Sequence, residues 1–272
     1  MRRLLTSAVV AWARADEALR RAQQAGRLSM GAFLSRALTL EERESLVAPL
    51  YGATWRTAID TLHPWESEWF ATALPPAPAM ILVGGAGSGR EVAALVALGY
   101  TVDALEPAEE LLPALRAAGA RQCWTAGYRE MIAGLDGLMG PYDACLLGWG
   151  SVHHVLDVQV RRAIWRTADT LTPQGPLLAS FWLADGDGPL RAAPGGRVVA
   201  GARHIGGLVG GLRQVEATEG EIFDPRFGFA RPLSRAEVVE SAADLKREVR
   251  WSAPGAVYPH VTLILADRRT LS

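Results

Sequence analysis

The residues best suited to hold a ligand are a run of glycines and the acid that follows it. Gly84-Gly85-Ala86-Gly87-Ser88-Gly89 closes a short apolar run from Met80 and leads straight into a helical stretch. Glycines let the chain turn sharply and let backbone N–H groups approach a ligand with no Cβ in the way. Glu106 comes about twenty residues later, at the end of the next apolar run, where a carboxylate can accept hydrogen bonds from both ribose hydroxyls of a nucleoside cofactor. Further on, Trp149-Gly150-Ser151-Val152-His153-His154 carries two adjacent histidines, whose ordinary pKa range suits a general base. Cys123 and Cys145 lack any metal-ligand spacing, so no metal site is expected.

The glycine spacing narrows the choice of nucleoside. A nicotinamide-binding turn reads G-x-G-x-x-G, and its third glycine lets helix and strand pack closely. Here the glycines stand at Gly85, Gly87 and Gly89, and Arg90 occupies that third position. A phosphate-binding Walker loop would need Gly-Lys-Ser/Thr, which does not occur.

These residues must be positioned by alternating strands and helices. Met80 to Gly84, Tyr100 to Leu105, Arg121 to Thr125, Tyr142 to Leu147 and Pro176 to Trp182 read as strands, with helices over Arg90 to Leu98, Ala108 to Ala118 and Asp157 to Leu171. That rhythm signals βαβ units and a parallel sheet buried on both faces. Residues 1–74 read as helical, with Thr39 capping a helix that starts Leu40-Glu41-Glu42. The Pro75-Pro76-Ala77-Pro78 stretch then marks a boundary, which divides the chain into a cap (1–74) and a main domain (75–272). Residues 184 to about 230 break the rhythm: ten glycines fall between 184 and 220, with little apolar periodicity. Such a stretch reads as disordered or as a mobile lid. Ser234 caps a further helix over Arg235 to Asp244, and Val257 to Ala266 is strongly strand-like.

With these elements in place, the sequence resembles the class I S-adenosylmethionine-dependent methyltransferases. Ile81 to Gly89 is similar to the family's first motif, Leu105-Glu106-Pro107 to its ribose-binding motif, Pro141 to Gly148 to its fourth strand, and Leu171-Thr172-Pro173-Gln174-Gly175 to the turn into its fifth. The resemblance implies a Rossmann-like, mostly parallel seven-stranded sheet with helices on both faces, topped by a helical N-terminal cap. It implies S-adenosylmethionine as cofactor, held by Gly85, Ala86, Gly87, Gly89, Glu106, Pro107, Gly148 and Trp149. Many members carry an acid in strand one where this chain has Val83, so backbone carbonyls near Gly85 and Gly148 are the substitutes expected for the methionine amino group. The loop after the fourth strand passes beside the acceptor, which makes His154 the first choice of base and His153 the second. On the cap, Tyr51, Trp55 and Arg56 are the expected substrate contacts, and Trp65 and Trp69 are expected to line a pocket with Trp55 and Tyr51. An Asn/Asp-Pro-Pro-Tyr/Phe motif for planar amines is missing from Gly148-Trp149-Gly150-Ser151, which argues against base methylation. The activity implied is methylation of a small molecule, on oxygen first and nitrogen second. The other readings are a nicotinamide-dependent oxidoreductase and a cofactor-binding module without turnover.

Composition leaves a soluble enzyme or a binding module. In 272 residues, 28 basic side chains face 29 acidic ones, a net charge of −1, so the basic excess of a nucleic-acid binder is missing. Arg2 and Arg3 before an apolar run, with Ala11-Trp12-Ala13, resemble a secretory leader. The amphipathic pattern continues through Arg14, Asp16, Glu17, Arg20 and Arg21, so a cytoplasmic helix is the preferred reading. No apolar run reaches the ~18 residues of a membrane span. The expected partner is a small molecule, without nucleic acid or membrane, and a homodimer is left open.

Overall fold

The computed structural model describes residues 2–54, 61–184, 197–213, 220–252 and 260–266. Four helices come first: α1 (Arg2–Ala37), α2 (Leu40–Ser45), α3 (Val47–Thr54) and α4 (Pro64–Ala73). The alternating part follows with β1 (Met80–Gly84), α5 (Arg90–Ala97), β2 (Thr101–Leu105), α6 (Leu112–Ala117), β3 (Gln122–Trp124), α7 (Tyr128–Ala133), β4 (Ala144–Leu147), α8 (Val158–Leu171) and β5 (Leu177–Trp182). The chain then adds α9 (Arg197–Leu212), β6 (Ile222–Asp224), β7 (Gly228–Ala230), α10 (Arg235–Asp244), β8 (Glu248–Ser252) and β9 (His260–Ala266).

The main sheet has the order β3-β2-β1-β4-β5-β9-β8. Strands β1 to β5 pair in parallel, while β9 runs antiparallel to both β5 and β8. Side-chain alternation along β1 explains why both faces are covered. Ile81 and Val83 pack with Trp69, Val92 and Leu95 on one face. Leu82 points to the other, with Cys145, Ile164 and Trp165. Strand order reverses between β1 and β4, and a crevice at the carboxyl ends of such strands is where open α/β sheets take their ligands. Gly84 and Leu147 end there, directly before the two loops singled out by sequence.

One buried acid inside the sheet is structural. Asp103 on β2 takes a hydrogen bond from the Tyr142 hydroxyl at 2.8 Å and from Arg121 Nε at 2.9 Å. At the cap, Thr39 and Glu42 form the reciprocal box expected: Thr39 Oγ1 accepts from Glu42 N at 3.2 Å, and Glu42 Oε2 accepts from Thr39 N at 2.8 Å. Thr39→Ala should therefore cost about 1 kcal/mol, read as a shift of the urea midpoint at unchanged slope.

The structure corrects two expectations and adds one element. The glycine-rich stretch is not without regular structure, because α9 occupies part of it and packs along α1. A Cβ on Gly206 would lie 2.4 Å from the Phe33 carbonyl oxygen, so glycine allows the two helix backbones to touch. Residues 185–196 and 214–219 of that stretch lie outside the described residues. Trp65 and Trp69 do not line a pocket but pack on the sheet face beside Ile81 and Val83. The short helix α7 was not foreseen at all. No helix among the described residues is long and apolar enough to cross a membrane.

Candidate functional site

The glycine turn is shaped by what its neighbours leave free. Gly85 has φ +65°, and a Cβ there would fall 2.4 Å from the Ser151 Cβ. Gly89 has φ +93°, and its Cβ would lie 2.6 Å from Ala118 Cβ, against α6. Gly89 thus provides the close packing that the third glycine gives a dinucleotide turn, and Arg90 is released for another task. The ends of β1 and β4 are tied by the Gly148 N–H, which donates to the Gly84 carbonyl at 2.7 Å.

Glu106 is buried and gripped from both sides. Its Oε2 accepts the Gly87 N–H at 2.7 Å and its Oε1 accepts the Ala108 N–H at 2.8 Å. Burial pushes its pKa above the ordinary carboxylate value, and the two N–H donors oppose that rise. Each carboxylate oxygen has a second lone pair, so the group can still receive two hydroxyls.

A cavity of about 320 Å³ opens here, within the range of small-ligand sites. Gly85, Gly87, Glu106 and Pro107 line it, as do Tyr51 and His154. Helices α2 and α3 form its outer wall. Glu44 fastens that wall to the core: its Oε1 accepts the Leu156 N–H at 2.7 Å, and its Oε2 accepts Arg129 Nε at 2.8 Å.

In the same wall, His154 Nδ1 lies 2.8 Å from the Phe229 carbonyl and Nε2 lies 3.2 Å from the Tyr51 hydroxyl. A carbonyl can only accept, so we assign the ring proton to Nδ1, which leaves Nε2 to accept the Tyr51 O–H. Complete burial pulls the His154 pKa down to about 4, with the Phe229 contact opposing, so the ring is neutral at pH 7. Burial, and then the Glu106 and Glu91 carboxylates, raise the Tyr51 pKa well above its ordinary value. Tyr51 is therefore a neutral donor to a neutral imidazole.

The other sequence candidates divide. Trp149 lines the cavity, with the Arg90 guanidinium 5.1 Å from its ring. His153 is turned away: its ring stacks on Trp182 at 4.2 Å, and its carbonyl accepts the Arg231 N–H at 2.7 Å. Ala86 is buried, its N–H held by the Leu105 carbonyl at 3.0 Å. Ala86, Gly89 and Gly148 shape the turn from behind, whereas Gly85 and Gly87 face the cavity. Trp55 and Arg56 lie outside the described residues.

Two features of the site escaped sequence reading. Tyr128, at the start of α7, donates to the Gly84 carbonyl at 3.1 Å and sits 2.5 Å from Ser151 Oγ; both side chains line the cavity. Its signal was present in Gly127 followed three residues later by Glu130, a helix-start pattern completed by the Gly127 N–H donating to Glu130 Oε2 at 2.8 Å. Arg90 also carries a role. It grips Glu66 of α4 through two bonds of 2.6 Å and Glu91 through one of 2.8 Å.

No protein-family model matches the chain, and no curated protein matches it by sequence. Solved structures do match in shape. A 1,6-didemethyltoxoflavin-N1-methyltransferase of Burkholderia thailandensis, crystallised with 1,6-didemethyltoxoflavin and S-adenosylhomocysteine, aligns over 85% of this chain and 92% of its own, with TM-score 0.54 and 17% identity. The CcbJ methyltransferase of Streptomyces caelestis aligns over 80% of this chain and 98% of its own, with TM-score 0.54 and 18% identity. A Rhodobacter sphaeroides chain described as a Zn-dependent alcohol dehydrogenase aligns over 86% of this chain and 98% of its own, with TM-score 0.55 and 14% identity. The sheet decides between these descriptions of the fold. The order of a dinucleotide-binding sheet is 3-2-1-4-5-6, whereas here the antiparallel β9 is inserted between β5 and β8. The fold is that of the class I methyltransferases. Within a class I sheet, the glycine turn and Glu106 occupy the ends of its first two strands, and His154 follows its fourth.

Proposed function

We propose that this chain is an S-adenosylmethionine-dependent methyltransferase that methylates a hydroxyl oxygen of a small molecule. The observation that supports it is one cavity lined by two differently equipped pairs, Glu106 with Gly87 and Tyr51 with His154. The residues fit a nucleoside, because a buried carboxylate with free lone pairs stands beside a glycine turn that leaves room for a ribose. When bound, the cofactor supplies a methyl group already activated by its sulfonium.

What remains for the protein is orientation and the disposal of one proton. Proximity and alignment in the cavity are worth the larger share. Glu106 holds the ribose, Pro107 and Trp149 flank it, and the cap (1–74) closes over the main domain (75–272) through Val47, Ala48 and Tyr51. The acceptor hydroxyl donates to Tyr51 Oη while Tyr51 donates to His154 Nε2. As the acceptor oxygen gains the methyl, its proton passes to Tyr51 and the Tyr51 proton passes to His154. The Phe229 carbonyl, accepting from Nδ1, stabilises the imidazolium that results. This route asks for a proton from oxygen, and it is why we prefer O-methylation.

Calorimetric titration with S-adenosylmethionine, S-adenosylhomocysteine and NAD is the direct test. The first two should bind and NAD should not. Binding of NAD in place of the sulfonium ligand would overturn the reading in favour of an oxidoreductase. Radiolabelled methyl transfer into a pool of hydroxylated metabolites then identifies the acceptor class.

A further inference from the structure

Four oxygens meet beside the glycine turn with too few protons between them. The Tyr128 hydroxyl stands 3.1 Å from the Gly84 carbonyl and 2.5 Å from Ser151 Oγ, and Ser151 Oγ stands 2.8 Å from the Gly148 carbonyl. Each hydroxyl carries one proton. Burial raises the Tyr128 pKa well above its ordinary value, so the phenol keeps its own. Two protons thus serve three short oxygen–oxygen contacts, and one contact always lacks a bridge. The backbone does not supply it: the Gly148 N–H is taken by the Gly84 carbonyl at 2.7 Å, and the Ser151 N–H by the Gly148 carbonyl at 2.9 Å. Packing fixes the oxygens in place. A Cβ on Gly84 would fall 2.7 Å from the Tyr128 ring, and one on Gly85 would fall 2.4 Å from Ser151 Cβ. Both side chains reach the turn because glycines stand there.

We infer that Tyr128 Oη and Ser151 Oγ hold the α-ammonium of the cofactor's amino-acid portion, an inference that rests on the cofactor proposed above. With the Tyr128 proton on the Gly84 carbonyl and the Ser151 proton on the Gly148 carbonyl, the two hydroxyl oxygens face each other with lone pairs alone. A charged N–H group donating to both relieves that repulsion, and bonds from a charged donor are stronger than neutral ones. Both residues line the cavity that Glu106 lines. Charge leaves the place to the ligand. Of the described residues that line the cavity, Arg129 alone is cationic, and Glu44 holds it through Nε at 2.8 Å and Nη2 at 2.7 Å. Val83, at the position where an acid is common in the family it resembles, is fully buried with Trp69 and Val92 and brings no charge to the cavity. The Gly148 carbonyl, one of the substitutes expected from sequence, is itself engaged by Ser151, so the hydroxyls take over its task.

Calorimetric titration of the full chain with S-adenosylhomocysteine, and with its analogue bearing hydrogen in place of the amino group, tests this. The wild type should bind the analogue roughly tenfold or more weakly, the range for a hydrogen bond to a charged group. Tyr128→Phe and Ser151→Ala keep the ring and the Cβ against the glycines. Each should lose a similar factor for S-adenosylhomocysteine and nothing for the analogue. Equal wild-type affinity for the two ligands overturns the inference without recourse to a variant. Equal losses for both ligands in the variants overturn it too, by making the hydroxyls props of the turn. Variants that bind S-adenosylhomocysteine as the wild type does place the ammonium elsewhere and leave the proposed function standing. A wild type that binds neither ligand removes the cofactor and the inference together.

Discussion

Replacing His154 with alanine should lower kcat by roughly 10²–10⁴, the usual worth of a positioned general base, and leave cofactor affinity unchanged. Tyr51→Phe should show a loss in the same direction, because it keeps the ring and removes only the hydroxyl between acceptor and imidazole. The pH profile gives a sharper signature. An ordinary histidine base would make the rate rise between pH 6 and 7. With its pKa pulled down to about 4, His154 is already neutral there, so the rate should stay flat across the neutral range and fall only towards pH 4. Stability should follow the same group. The unfolded chain takes up this proton near pH 6.5, the native chain only near 4, so stability is complete above 6.5 and declines as pH falls between those values. The decline amounts to roughly 3 kcal/mol and should be missing in His154→Ala. Full activity in both variants would show that orientation alone drives transfer. Loss of cofactor binding in His154→Ala would instead make the residue a support for its loop.

Glu106→Ala should weaken S-adenosylmethionine binding by roughly 1.5–3 kcal/mol, the range for hydrogen bonds to a charged group. The structure adds a second reason for the loss. Glu106 also holds the Gly87 and Ala108 N–H groups, so its removal frees the turn that must present itself to the ligand. Titration calorimetry reads the effect directly, and unchanged affinity would place the ribose elsewhere. Gly87→Val should be more damaging, since φ is +56° at that position and a β-branched side chain is strained there even with open space around it.

What the sequence revealed, and what it hid, follows from the range of the forces involved. Strands β1 to β5 were legible because each is a short apolar run closed by turn residues, a local signal. Glu106 was legible because its distance from the glycine turn is set by one βαβ unit. The Tyr51–His154 contact spans 103 positions, and no local pattern encodes it; only the packing of α3 over the β4 loop does. The side of the loop on which each histidine falls was equally hidden, since His153 and His154 differ in neither type nor neighbourhood until Trp182 and Phe229 arrive. Helix α9 was missed because its glycines argue against a helix locally, while contact with the α1 backbone requires one of them, Gly206.

Arg90 has a consequence for anyone who would rebuild this protein. Its guanidinium joins the glycine turn to α4 through Glu66, a carboxylate that is almost wholly buried and also accepts the His63 N–H at 2.7 Å. Breaking a buried pair by removing one partner costs about 3–5 kcal/mol. A chimaera that exchanges the first 74 residues for those of another protein of this fold must therefore bring an acid to the place of Glu66 or replace Arg90 at the same time. On the proposed function, the helical segment and the glycine turn would then have to be exchanged together, because Arg90 and Glu66 tie one to the other.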